Sequence, residues 1–241
     1  MKEPMYQVST LQALARGDYY GNSSIGELLE KGDTGLGTFM AVDGEMIVIE
    51  GKCFRAKADG SVQQVDASEY TPFANVTFFN RDISIQLTQE INMVQLIQKL
   101  DEKVRIAGIN NIYACRIDGS FNQVYVRSEK KQNEEPYKPF AQVLAVDQRE
   151  FEYKDVSGSL IGVYFPQYLD GLNAAGWHLH FISDDRTKGG HVFGLKIKVG
   201  TGWLCKTDGF RLLIPDSDYF NALNLTEVSQ EEIASVEKIS K

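Results

Sequence analysis

The chain has 241 residues, 43% apolar and 24% charged, which suits one large soluble domain or two small ones. Its formal net charge of −8 argues against general binding to nucleic acid or anionic membrane, because both need a basic surface; an anionic substrate would have to be held by individual cations. The N-terminal MKEPMYQVSTLQ has no apolar signal-peptide core, and no apolar run approaches a membrane span, so a cytoplasmic protein without membrane contact is expected.

Near the start, Ser9-x-x-Gln12 is a capping-box pattern, and Gly17 follows as a C′ residue, which predicts a short helix. Ser24-x-x-Glu27 repeats the device, with Gly32 ending a helix that turns Leu28 and Leu29 inward. Asp33-Thr-Gly-Leu-Gly-Thr38 matches no dinucleotide or P-loop fingerprint and is given no phosphate role. From 37 to 60, short apolar runs alternate with Asp43-Gly44, Gly51 and Asp59-Gly60, and read as a β-meander with tight turns. Phe73 to Phe79 is a further strand. Ile91, Val94, Ile97 and Leu100 recur at helical spacing and predict an amphipathic helix over about 88–102.

Residues 112–117 and 120–128 flank Asp118-Gly119 and read as another hairpin. The polar, proline-bearing run from Glu129 to Pro139 reads as a solvated, mobile connector. Beyond it lie strands near 152–165, a histidine-bearing hairpin, and a strand pair near 202–214. In the tail, Ser229-x-x-Glu232 predicts a helix from Gln230 to about Ile239, docked through Ile233 and Val236. Hairpins without regular βαβ alternation favour an α+β fold of two packed mixed or antiparallel β-sheet units with a few helices. The expected division is 1–140 and 141–241, with the histidines in the second part. Cys53, Cys115 and Cys205 are far apart, odd in number and without a CxxC pair, so reduced packing thiols are expected.

All three histidines fall between Gly176 and Gly194, in GWHLHFISDDRTKGGHVFG. His178 and His180, two residues apart, project from one face of a strand. Ser183 to Gly190 reads as the turn, and the return strand starts at His191. A hairpin folded about the middle of that run pairs Ile182 with His191. His191 is then diagonal to His180 on the same face, within reach of a common ion. Three imidazoles without a fourth ligand nearby are what an open catalytic zinc site needs. The competing reading is of surface or core histidines that meet no metal.

This stretch resembles the signature of bacterial acetolactate decarboxylases, in which G-[YW]-H-x-H-F-I-x-D-D-R…G-G-H carries three zinc ligands. GTFMAVDGEM (37–46), FNQVYVRS (121–128) and FPQYLDGL (165–172) are similar to other segments of that family, in the family's order. The resemblance spans nearly the whole chain. It implies decarboxylation of 2-acetolactate, a small anionic 2-hydroxy-3-keto acid, to acetoin, with Zn2+ on His178, His180 and His191. Zinc on the ketone and hydroxyl oxygens would polarise the ketone and stabilise the enediolate left when CO2 departs. A positioned acid must then protonate carbon.

Arg127 ends the strand Val-Tyr-Val-Arg and, as a guanidinium, suits bidentate recognition of a carboxylate. The resemblance places an active-site arginine there, with Arg116 as rival; the plainer reading of Arg127 is a surface ion pair. Read alone, Glu45 is a solvent-facing strand residue. The resemblance instead implies that Glu45, over Glu50, is catalytic and that Thr38 orients substrate or water. It also implies a carboxylate from the tail, for which Glu237 fits best and Glu232 is the rival. The other enzyme class compatible with HxH strands is a cupin-like oxygenase or isomerase. That pattern normally adds a glutamate ligand shortly after HxH, where this chain has Ser183-Asp184-Asp185. A homodimer is the candidate assembly.

Overall fold

The computed structural model describes residues 2–228. In chain order the first half contains β1 (Met5–Val8), α1 (Leu11–Ala15), β2 (Ser23–Ser24), α2 (Ile25–Leu29), β3 (Thr34–Thr38), β4 (Glu45–Ile49), β5 (Lys52–Ala56), β6 (Val62–Gln64), β7 (Tyr70–Thr71) and β8 (Ala74–Thr77). There follow β9 (Ile83–Leu87), β10 (Ile91–Asn92), α3 (Met93–Ala107), β11 (Tyr113–Glu129), α4 (Phe140–Asp147), β12 (Gln148–Phe165), β13 (Gly176–Ser183), β14 (Gly189–Lys206), β15 (Phe210–Leu213) and α5 (Asp218–Ala222). This is an α+β protein of two principal sheets.

One sheet has seven strands in the order β15-β1-β8-β3-β4-β5-β6; it is mixed, because β1 and β15 run parallel and the other pairs antiparallel. Its β3–β6 portion is the expected meander. The second turn places Glu50 at φ 54° and Gly51 at φ 70°, the two left-handed positions that a tight hairpin turn needs. The other sheet is antiparallel and contains β9 to β14; β13 pairs with both β12 and β14, while β11 lies between β12 and β14, so these four strands close on themselves. Both sheets draw on residues from either side of position 140. Between them, Ile47, Ile49, Phe54 and Ala56 of the first pack against Ile161 and Ile182 of the second.

Several local expectations shift. The first helix is capped by Thr10, whose side chain accepts from Ala13 N, and not by Ser9, which sits at φ 58°. The capping box at Ser24 and Glu27 is present; Leu28 is buried and Leu29 partly so. The long helix starts later than predicted, because Asn92 and Gln95 form its capping box. Its buried stripe is Leu96, Leu100 and Val104, whereas Val94 is exposed. Asp118-Gly119 is no turn: β11 runs straight through it, with Gly119 opposite Gly158 on one side and Gly200 on the other. A Cβ on Gly119 would come within 2.5 Å of the Val199 carbonyl oxygen, so glycine is there for close strand approach. Residues near 202–214 do not pair with each other; β14 ends in the second sheet and β15 crosses to the first. Connector 129–139 begins one residue later than read, since Glu129 belongs to β11. The tail helix from Gln230 lies outside the described residues.

All three cysteines are buried, and burial pushes the Cys53 thiol up to about 12, as suits packing residues. No helix among the described residues is long and apolar enough to cross a membrane.

Candidate metal centre and active site

The strand period brings the histidines together, and the register does so more tightly than the sequence reading. His180 pairs directly with His191, and Ile182 pairs with Gly189 instead of His191. The turn is shorter because the Ser183 hydroxyl donates to the Asp185 carboxylate at 2.6 Å, and the Thr187 N–H and hydroxyl donate to the same oxygen. The shift is two residues, so His191 keeps its face. His178 Nε2 lies 3.0 Å from His180 Nε2 and 2.9 Å from His191 Nδ1. All three rings are buried, and one ligand nitrogen from each falls within 4.8 Å of the others.

The donor set fits a cation. A neutral imidazole carries one N–H. His180 Nδ1 lies 2.7 Å from the Met46 carbonyl, to which it donates, so its Nε2 turns a lone pair toward the cluster. Burial holds the His180 pKa down at about 3 and that of His178 well below the usual range, which keeps the rings in the neutral form that binds metal. Asp185 is occupied in the turn, so it does not act as the carboxylate ligand of a cupin-type set.

The seven-stranded sheet supplies one wall. Glu45 opens β4 opposite Thr38, and its carboxylate reaches within 3.3 Å of His180 Nε2. It is buried, in contrast to the solvent-facing position read from sequence alone. The Thr38 hydroxyl donates to the Gly44 carbonyl at 2.9 Å, leaving its oxygen lone pairs as acceptors. Arg127 pairs directly with His191 across β11 and β14, and is buried; its Nη1 donates to Gln148 Oε1 at 3.1 Å. The surface ion pair considered for Arg127 is therefore ruled out by its burial. Thr38, Glu45, Arg127, His178 and His191 line one cavity, closed on its apolar side by Leu14, Phe73 and Phe140.

The rivals lie elsewhere. Arg116 donates to Asp118 and, at 2.9 Å, to Glu50, so the two alternatives pair with each other. Sequence reasoning missed Glu129, which also lines the cavity and is 1% exposed. Its Oε1 stands 3.9 Å from Arg127 Nε, and Glu45 lines the same cavity. Burial raises the Glu129 pKa, opposed by the Arg127 guanidinium. The signal was its position two residues after Arg127 on a continuing strand. Glu237 and Glu232 lie outside the described residues.

A buried three-imidazole centre with two carboxyl groups and a guanidinium beside it, at the seam of an α+β fold, defines the class: a candidate metal-dependent enzyme. Residues 5–227 match the family model of alpha-acetolactate decarboxylase, so the chain belongs to that family of carboxy-lyases. It is 39% identical over 235 residues to an alpha-acetolactate decarboxylase of Methanosarcina mazei, covering 97% of this chain and 80% of that one. With the Bacillus licheniformis enzyme of that name it shares 35% identity, over 91% of this chain and 86% of the other. The crystal structure of alpha-acetolactate decarboxylase from Bacillus subtilis strain 168 superposes with a TM-score of 0.94 at 31% identity, covering 98% of this chain and all of that one.

Proposed function

We propose that this enzyme decarboxylates 2-acetolactate to acetoin and CO2 with Zn2+ held by His178, His180 and His191. The observation that carries the reading is the convergence of the three buried imidazoles beside Glu45 and Arg127 in a chain of this family. Zinc, when bound, would supply Lewis-acid stabilisation of the negative charge that the departing CO2 leaves behind. Arg127 binds the substrate carboxylate through its fork and orients the bond to be broken. When that carbon–carbon bond breaks, its electron pair passes toward the neighbouring ketone, and a proton must return to carbon. Glu45 is the acid or proton relay for that step, and Thr38 Oγ1 accepts from the substrate hydroxyl or from water. Glu237 is the proposed second carboxylate, with Glu232 as its rival. The cytoplasmic location and the homodimer belong to the same proposal.

The test is acetoin formation from racemic acetolactate, measured before and after chelation and after zinc is restored. Activity that vanishes with the metal and returns with zinc is expected. Undiminished turnover by metal-free protein overturns the reading. Alanine at His178, His180 or His191 should abolish metal binding and turnover together.

A further inference from the structure

Glu129 has no part in the chemistry just described, yet its carboxyl group is almost wholly buried. It is 1% exposed, and its Oε1 has no hydrogen-bond partner among the described residues. A charge-bearing group so far from water is retained when it holds something in place; an apolar side chain would otherwise pack there at less cost. Alternation along β11 puts Glu129 on the face of Arg127, and its Oε1 is 3.9 Å from Arg127 Nε. Gln148, directly opposite Glu129 in register, accepts from Arg127 Nη1 at 3.1 Å. The guanidinium thus has the Glu129 carboxylate 3.9 Å from Nε and a hydrogen bond from Nη1 to Gln148, which together restrain its orientation.

The same carboxyl faces the other sheet across the cavity that Glu45 also lines. The neighbouring Ser128 hydroxyl donates to the Ala56 carbonyl at 2.8 Å and anchors this end of β11 to β5. The strand end that carries Glu129 is therefore tied to β5 of the other sheet as well as to β12. We propose that Glu129 is a positioning residue that sets Arg127 for the substrate carboxylate. The inference rests on the proposed decarboxylation.

The experiment is a double-substitution cycle on the zinc-loaded enzyme, using Glu129→Gln, Arg127→Lys and the pair, with kcat and KM for acetolactate and metal content measured for each. Glu129→Gln keeps the volume and removes the charge facing Arg127. It should retain one zinc per chain, raise KM roughly tenfold and lower kcat by less, since binding through Arg127 is what it disturbs. In the Arg127→Lys background the same change should add less than about twofold. Glu129→Asp keeps the charge but retracts it, and should raise KM in the same direction; it serves if the glutamine variant does not fold. An unchanged KM in the folded variants, or full additivity with Arg127→Lys, overturns the proposal. An inactive zinc-loaded wild-type enzyme instead overturns the decarboxylase reading, and the role of Glu129 falls with it.

Discussion

Arg127 and His191 face each other across β11 and β14, so the group proposed to hold the substrate is one side chain from the group proposed to hold the metal. Arg127→Lys keeps the charge and gives up the planar fork. Activity should fall about a hundredfold, in line with loss of a charge-assisted hydrogen bond, while metal content stays at the wild-type level. Unchanged kinetics in a folded, zinc-loaded variant would remove Arg127 from the substrate. At this scale the sequence was informative where chemistry is rare: three histidines in one hairpin declare themselves through spacing alone. Glu45 was legible only through resemblance, because a glutamate after a turn is ordinarily solvated. Glu129 was hidden for a related reason. A run of Lys, Gln, Glu and Pro follows it, and composition assigned it to that run; burial against the seven-stranded sheet is a tertiary fact that no local pattern carries.

Between β13 and β14 the turn decides how closely the histidines meet, and its hydrogen bonds are centred on Asp185. Donation from Ser183 and Thr187 holds the Asp185 pKa at about 2, below the usual 3.8. The folded pKa is depressed, so the stability contributed by this carboxylate is fully present above the ordinary value and is lost as pH falls toward about 2. Thermal melting of wild type and Asp185→Asn should differ by a constant amount above about pH 5 and converge toward pH 2. A gap that stays constant through that window would show that the turn does not depend on the charge. Gly119 makes the corresponding point for long strands. Asp-Gly is a strong hairpin signal, yet here it lies inside β11, where the pairings with Gly158 and Gly200 bring three backbones together. The added methyl of Gly119→Ala would meet backbone atoms, 2.5 Å from Val199 O and 2.9 Å from Gly200 Cα. Such overpacking should cost about 1–3 kcal/mol. That lowers the melting temperature by roughly 2–4 °C per kcal/mol in a chain of this size, which calorimetry would read. A dipeptide turn preference was outweighed by pairing on both edges, information that resides in β12 and β14.

Across the whole molecule, the site exists only where the two sheets meet. Thr38 and Glu45 come from the mixed sheet; Arg127, Glu129 and the histidines come from the antiparallel one. Strand-rich α+β architecture was readable from hairpin spacing, but the crossing of β15 to pair parallel with β1 was not, because parallel pairing leaves no local signature. The remaining expected contributor is the tail. Val228, the last described residue, is buried in one apolar cluster with Leu14, Phe73 and Phe140, the same three side chains that close the cavity. The chain therefore arrives beside the site before its final segment begins. Glu237 follows nine residues later, and that length of chain spans at most about 30 Å, ample to reach the cavity from Val228. If Glu237 supplies the second carboxylate, Glu237→Gln should retain zinc and fold yet lose most turnover, by about 100-fold or more, the scale of a missing general acid. Glu232→Gln should be close to wild type. Removal of everything after Ser229 should match the Glu237 variant in kcat while leaving metal content unchanged. Full-rate acetoin production by that shortened enzyme would leave Glu45 to deliver the proton without the tail.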